Sequence, residues 1–126
     1  MSEPVRTILV ADDEAHIRHI VIDRLRANGF KVVEARDGEE ALELALTDPP
    51  DLVITDLQMP VLSGLELCQM LRARPQTKDV PALMLTARGH VLDQNDLSNT
   101  NVREMIAKPF GAKHLVERVK HLLKAA

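Results

Sequence analysis

The hydrophobic residues of this chain fall into two kinds of segment, and short runs that are apolar at nearly every position form the first kind. Such runs indicate strands buried on both faces, as in a parallel sheet. Three of them are Ile8–Ala11, Leu52–Ile54 and Ala82–Leu85. Two weaker candidates carry charges: Lys31–Ala35 suits a sheet edge, and Val102–Ala107 is interrupted by Arg103 and Glu104. The pattern therefore predicts five strands.

Segments with helical periodicity separate these strands. The first spans Glu14–Asn28, and Gly29 is placed to end it in a left-handed conformation. Asp37 and Ser63 each precede a glutamate by three positions, the capping-box signature of a helix start. A final amphipathic helix follows Gly111. The predicted buried faces comprise Ile17, Ile20, Val21 and Leu25 in the first helix and Leu67, Met70 and Leu71 in the third.

The fourth helix is predicted only weakly, because Arg88–Asn101 is crowded with Asp, Asn, Ser and Thr, which bond the local backbone in competition with helix. The strict alternation of strands and helices nevertheless favours an α/β fold with a parallel sheet and right-handed crossovers. We expect a single domain over residues 1–126, without a second or output domain.

Composition narrows the class of protein. The chain has 126 residues, a net charge of −3 and 2% aromatic residues, which are Phe30 and Phe110. The sequence contains no run of Lys and Arg of the kind that binds nucleic acid or a membrane surface directly. Because Cys68 is the only cysteine, an intramolecular disulfide is excluded. Neither a signal peptide nor an apolar stretch of about 18 residues is present, so we expect a cytoplasmic protein.

Polar residues stand where the predicted strands end. Asp12, Asp13 and Glu14 follow the first strand, and Asp56, Thr86 and Lys108 follow the third, fourth and fifth. Parallel strands present their carboxyl ends at one edge of a sheet, where open α/β sheets bind ligands. Taken singly, each residue could be a helix cap, a turn residue or a solvated lysine.

Taken together, these residues indicate a binding site for a cation. Clustered carboxylates repel one another unless a cation holds them together, and ligand sets made only of oxygen suit Mg²⁺. A carboxylate beside Mg²⁺ is also a candidate nucleophile toward phosphorus. The hydroxyl of Thr86 and the ammonium of Lys108 would then stabilise the charge of the phosphoryl oxygens.

With these motifs the sequence resembles the receiver domain of two-component response regulators (the CheY-like family) over essentially its whole length. The matching segments are Asp12-Asp13, Asp56 within Ile54-Thr55-Asp56-Leu57-Gln58-Met59-Pro60, Ser63-Gly64, Thr86-Ala87 and Lys108-Pro109-Phe110. The resemblance implies a flavodoxin-like, doubly wound domain with five flanking helices and strand order 2-1-3-4-5.

The resemblance also implies roles for individual residues. Asp56 would be the phosphoacceptor, and Asp13 would bind Mg²⁺ directly. Asp12 would bind the ion directly or through a water, and the backbone carbonyl of Gln58 would be a further ligand. The phosphoryl donor would be a phosphohistidine on a sensor histidine kinase or a histidine phosphotransfer protein, and the downstream partner stays unknown.

The remaining site residues follow by the same resemblance. Thr86 would bond the phosphoryl group, and the small Ala87 would leave that group accessible. Lys108 would pair with a phosphoryl oxygen and with Asp56, and a cis peptide between Lys108 and Pro109 is expected to aim the lysine into the site. The domain would act in signalling, taking part in its own phosphorylation and dephosphorylation rather than acting as an enzyme on other substrates.

The sequence departs from the family pattern on the side expected to signal. Met105 occupies the switch position that is usually Tyr or Phe, which leaves open whether it supports normal switching. Asn101 and Val102 replace a small Gly-Ala pair, and Arg103 and Glu104 replace an acidic pair. We therefore expect ordinary phosphorylation with non-standard output through helix four, strand five and helix five.

Two further positions bear on the lifetime of the phosphorylated form. Gln58 and Arg88 lie two residues after Asp56 and Thr86 and flank the expected path of the attacking water. Their long side chains suggest a lifetime above the shortest in the family.

Three other functions compete with this interpretation. A pseudo-receiver that binds partners without phosphorylation is the main alternative, because the predicted output face is altered. An aspartyl-phosphate hydrolase of the haloacid-dehalogenase kind would need an acid two residues after the nucleophile, where Gln58 stands. A mononucleotide- or flavin-binding domain would need a glycine-rich loop, and the five glycines are scattered.

Overall fold

The computed structural model describes residues 4–87 and 94–125, which form one five-stranded sheet with flanking helices. In chain order the elements are β1 (Thr7–Ala11), α1 (Ala15–Ala27), β2 (Lys31–Ala35), α2 (Gly38–Thr47), β3 (Leu52–Asp56), α3 (Gly64–Arg72), β4 (Ala82–Thr86), α4 (Gln94–Ser98), β5 (Val102–Ala107) and α5 (Ala112–Ala125). The strands are all parallel in the order β2-β1-β3-β4-β5. The predicted α/β fold and strand order are confirmed.

The sheet is buried on both faces because helices cover each of them. β3 and β4 are buried at every position, whereas β2, at the edge, is exposed at Lys31 and Glu34. Alternate strand residues point to opposite faces and supply two separate cores. One core includes Ile8, Val10, Ile54, Leu83 and residues of α1 and α5; the other includes Leu9, Val53, Met84 and residues of α2 and α3.

The pairing of β5 with β4 is irregular at Arg103 and Glu104, the two charged residues that interrupt this strand in the sequence. Ala82 pairs with Val102, but the next residue of β4, Leu83, pairs with Glu104. Arg103 is therefore the extra residue of a bulge. Beyond it the register is regular, and it places Thr86 at the end of β4 opposite Ala107.

The predicted helix signals are largely confirmed. The Ser63 hydroxyl accepts a hydrogen bond from the Glu66 backbone N–H and the Glu66 carboxylate accepts one from the Ser63 N–H, which completes a capping box. The Asp37 side chain caps α2, and Gly29 has a φ of +88° after α1. Of the predicted fourth helix, Gln94–Ser98 is helical, and residues 88–93 lie outside the described residues.

Two residues predicted to be buried are exposed instead. Ile20 and Met70 are 41% and 43% exposed. The buried face of α1 consists of Arg18, Val21, Ile22 and Leu25. It therefore includes the charged Arg18 and leaves Ile20 outside it. Arg18 occupies this face because two acceptors meet its guanidinium there, as described below. Across the described parts of the chain, no helix is long and apolar enough to span a membrane.

Gly64, the first residue of α3, packs directly against the backbone at the end of β3. Its N–H donates to the carbonyl of Leu57 at 2.8 Å, and a Cβ built on it would overlap the Asp56 carbonyl oxygen. A Cβ on Gly111, by contrast, would meet no atom within 4 Å. Glycine is therefore required at position 64 by the close approach of α3 to the last residue of β3.

We predict that Gly64→Ala lowers the free energy of unfolding by about 1–3 kcal/mol, the usual cost of forcing an extra methyl group into a packed site. Urea unfolding followed by far-ultraviolet circular dichroism measures it. Gly111→Ala is the matched control and should change stability by less than about 0.5 kcal/mol. Equal effects of the two substitutions would contradict the close-packing argument.

Candidate functional site

The carboxyl ends of β1 and β3 bring three aspartates together. Asp12 and Asp13 follow the last residue of β1, and Asp56 is the last residue of β3, its neighbour in the sheet. One carboxylate oxygen from each of the three lies within 4.8 Å of the other two. Asp12 and Asp56 are buried and Asp13 is exposed, so the cluster has one side open to solvent.

The only described lysine that these aspartates contact is Lys108, which follows β5. Its Nζ lies 3.2 Å from Asp12 Oδ2, 3.3 Å from Asp56 Oδ2 and 3.1 Å from Glu14 Oε1. The Lys108 backbone N–H donates to the carbonyl of Thr86 at 2.7 Å, which ties the lysine to the end of β4. The peptide bond between Lys108 and Pro109 is cis, as expected.

The remaining predicted residues fall around the same opening, except two. Thr86 is buried at the end of β4, and Gln58 and Ala87 line an open cleft together with Asp13, Asp56 and Lys108. Met105 lies in β5 and is half-buried against the core beneath α2 and α3. Arg88 lies outside the described residues.

The electrostatics of the cluster reflect burial of like charges. Burial raises the pKa of Asp56, and the nearby carboxylate of Asp12 raises it further, while Lys108 acts against both. For Lys108, burial favours the neutral amine, but Glu14, Asp12 and Asp56 together raise its pKa. Lys108 is therefore a firmly charged ammonium, and one ammonium faces more than one negative charge. A divalent cation would remove the excess.

The backbone holds Asp56 rigidly at this edge. The N–H of the next residue, Leu57, donates to the Leu85 carbonyl at 2.9 Å, and the Leu57 carbonyl accepts from Gly64. The Thr55 hydroxyl donates to the Asp56 carbonyl at 2.9 Å. Contacts from β4, from α3 and from its own strand thus fix the main chain at the Asp56 carbonyl and at Leu57.

One residue that supports the site was missed from the sequence. Arg18 is buried in α1, where its Nη1 donates to the Asp12 carbonyl at 2.6 Å and its Nε donates to Glu34 Oε2 at 2.7 Å. The hydrogen bond from Arg18 lowers the pKa of Glu34. A signal was available, because position 18 lies four residues before Ile22 and seven before Leu25, on the apolar stripe of the helix.

The sequence also did not predict the role of the Glu14 side chain. It occupies the N-cap position of α1, but its side chain makes no capping hydrogen bond and instead contacts Lys108. Asp12 Oδ1 accepts the Glu14 backbone N–H at 2.9 Å, so Asp12, rather than a cap residue, satisfies that donor. His16 and His19 are exposed, and His19 Nε2 lies 3.5 Å from Glu34 Oε2.

Comparison with known proteins agrees with this geometry. The family model described as the response regulator receiver domain matches residues 8–120. The chain belongs to the response regulator receiver family. This receiver is 41% identical over 120 residues to the phosphate regulon transcriptional regulatory protein PhoB of Escherichia coli, covering 94% of the chain and 52% of that protein. The chain spans about half the length of the curated relatives it matches.

Solved receiver structures superpose closely on the chain. The chemotaxis response regulator CheY4 of Vibrio cholerae has a TM-score of 0.86 at 30% identity, with 94% of this chain and 98% of that one covered. The receiver domain of the sensor histidine kinase PA1611 of Pseudomonas aeruginosa has a TM-score of 0.86 at 25% identity, covering 96% and 99%. That structure has a magnesium ion coordinated in its active site cleft.

We predict that Arg18→Met lowers the free energy of unfolding by about 3 kcal/mol at neutral pH, since it removes two hydrogen bonds from a charged donor, each worth about 1.5–3 kcal/mol. Glu34 has its pKa lowered from 4.5, so its part of this stability is present above that pH and is lost as the pH falls through the lowered value. The difference from wild type should therefore shrink on acidification, which urea unfolding at pH 7 and pH 3.5 tests.

Arg24→Met is the control for this substitution, because Arg24 lies on the exposed face of α1. It should change stability little at either pH. A difference between Arg18→Met and wild type that stays constant or grows at low pH would contradict the role given to the Arg18–Glu34 pair.

Proposed function

We propose that this receiver is the phosphoacceptor of a His-Asp phosphorelay and that Asp56 accepts the phosphoryl group. The observation that carries the proposal is the grouping of three aspartate carboxylates within 4.8 Å, with the Lys108 ammonium 3.3 Å from Asp56. A buried nucleophile, an acidic cluster and a fixed cation at one sheet edge are the parts that phosphoryl transfer to a carboxylate requires.

The residues present fit a magnesium ion. Their donors are all oxygens, and carboxylates in this number suit a hard divalent cation. We propose that Asp12, Asp13, Asp56 and the carbonyl of Gln58 hold it, in keeping with the magnesium ion coordinated in the active site cleft of the similar PA1611 receiver domain. When bound, the ion would supply positive charge that offsets the carboxylates and the developing charge on the phosphoryl oxygens.

The residues of the chain have distinct parts in the transfer. A carboxylate oxygen of Asp56 forms a bond to phosphorus while the phosphorus–nitrogen bond of the phosphohistidine donor breaks, and the electron pair of that bond stays on the imidazole. The Thr86 hydroxyl and the Lys108 ammonium bond phosphoryl oxygens, and the small Ala87 leaves room for them. The donor is a sensor histidine kinase or a histidine phosphotransfer protein.

The altered signalling side supports non-standard output. Met105 is half-buried in β5, and an unbranched methionine has more rotamers available than the usual aromatic ring. Beside it, Glu104 accepts two hydrogen bonds from Arg118 of α5, at 2.6 and 2.7 Å. A partner that binds β5 and α5 would meet this closed ion pair. Because PhoB is named a transcriptional regulator, a fused or separate transcription factor is one class of output for this receiver.

Phosphorylation of Asp56 is tested with acetyl phosphate and Mg²⁺, followed by intact-mass measurement. We predict the addition of one phosphoryl group to the wild-type chain, with acetate released, and none without Mg²⁺. Asp56→Asn should show no addition, whereas Asp23→Asn, on an exposed aspartate of α1, should behave as wild type.

Two results would contradict the proposal. Absence of any mass increase with acetyl phosphate or with a phosphohistidine donor would favour the phosphorylation-independent pseudo-receiver. Continuous release of phosphate from small esters by the wild-type chain would favour the hydrolase.

The magnesium site is tested separately by isothermal titration calorimetry. We predict that Asp13→Asn weakens Mg²⁺ binding by about tenfold or more, because it removes a charged oxygen ligand from the open side of the cluster. Asp23→Asn should leave the affinity unchanged. If Asp13→Asn bound Mg²⁺ as tightly as wild type, the ion would have to lie elsewhere.

A further inference from the structure

Glu14 stands at the rim of the site without a part in the transfer proposed above. It is the third acid after β1, and its Oε1 lies 3.1 Å from Lys108 Nζ. Its side chain is 59% exposed, whereas those of Asp12 and Asp56 are 1% and 8% exposed. Of the described carboxylates that contact the lysine, Glu14 is therefore the one that can turn into water at little cost.

The ammonium of Lys108 is surrounded by carboxylates: it donates hydrogen bonds to Asp12 and Glu14 and forms an ion pair with Asp56. An ammonium carries three N–H donors and no acceptor. Three carboxylates stand around this one, Asp12 at 3.2 Å, Glu14 at 3.1 Å and Asp56 at 3.3 Å. A phosphoryl oxygen arriving at Lys108 therefore competes with these carboxylates for the ammonium.

Asp12 and Asp56 are poor candidates for displacement. Asp12 is fully buried, and its other oxygen already accepts the Glu14 backbone N–H at 2.9 Å, so releasing Lys108 would leave a buried carboxylate short of a partner. Asp56 is the residue that carries the phosphoryl group. Glu14 loses only an exposed ion pair, of the kind that contributes little to stability.

We propose that Glu14 is a displaceable counter-ion that occupies Lys108 in the unphosphorylated receiver and slows phosphorylation by competing with the incoming phosphoryl group. The inference rests on the proposed function of Asp56 and concerns the regulation of that site. Glu14 also carries a negative charge at the mouth of a cleft that an anionic donor must enter. Both effects act in the same direction, so removing the charge should speed phosphorylation.

The test compares Glu14→Gln, Glu14→Ala and wild type in their rate of phosphorylation by acetyl phosphate at saturating Mg²⁺, followed by intact mass. We expect both variants to be phosphorylated about three- to tenfold faster than wild type at low salt, since two charges a few ångströms apart in a solvated cleft interact at that level. The acceleration should fall in high salt because the donor is anionic. Glu117→Gln, on the exposed side of α5, is the control and should match wild type.

A purely structural role for Glu14 gives the opposite sign. If Glu14 only held Lys108 in place, both variants would be slower than wild type, and that result would overturn the inference, as would unchanged rates or an acceleration independent of salt. In each of these cases wild type is still phosphorylated at Asp56. Failure of the proposed function is distinguishable, because wild type would then gain no phosphoryl group that Asp56→Asn lacks.

Discussion

The structure depends on how this chain balances two buried carboxylates that adjacent strands place side by side. Asp12 and Asp56 end up together because β1 and β3 are parallel neighbours in register. Neither can turn into solvent, and burial together with the Asp12 charge raises the pKa of Asp56. Lys108 offsets part of this charge from β5, two strands beyond β3. The remaining excess of negative charge is what makes the site suited to a divalent cation.

A sheet of this kind can hold such a charged cluster because its backbone is tied down independently of it. The Asp56 main chain is fixed by hydrogen bonds involving Leu57, Thr55 and Gly64, and α3 approaches it so closely that only glycine fits. The buried residues of the two cores are almost all aliphatic and the cores are separate, so the strand ends are positioned by packing that involves neither the aspartates nor Lys108. The backbone hydrogen bonds and the packing of the cores therefore keep the carboxylates close together despite their mutual repulsion.

How much of the fold and of the site can be predicted from the sequence depends on whether local patterns or tertiary contacts determine each feature. Three continuous apolar runs and two weaker segments that carry charges located the five strands, and the rule that parallel strands share one end was enough to predict that Asp12, Asp56 and Lys108 meet. Periodicity failed at Ile20 and Met70, because it averages over a helix and does not know which neighbour each face meets. Burial of Arg18 depends on Glu34 of β2 and on the Asp12 carbonyl, which are distant in sequence or belong to the main chain. The apolar stripe of α1 marks position 18 as facing inward, but it does not identify these partners, which are set by tertiary structure.

The first turn of α1 shows how the acidic segment after β1 is held from two sides. Arg18, inside the helix, donates to the Asp12 carbonyl, and Lys108, outside it, contacts the side chains of Asp12 and Glu14. Glu14 stands at the N-cap, where an acid would ordinarily bond the helix N–H groups, yet its side chain makes no such bond. The Glu14 side chain thus contacts Lys108 instead of capping the helix. At this position the charge balance of the site, rather than the stability of the helix start, determines the conformation of the side chain. The Arg18 contact is buried and the Glu14 side chain is exposed, so the Asp12 main chain is held more firmly than the Glu14 side chain.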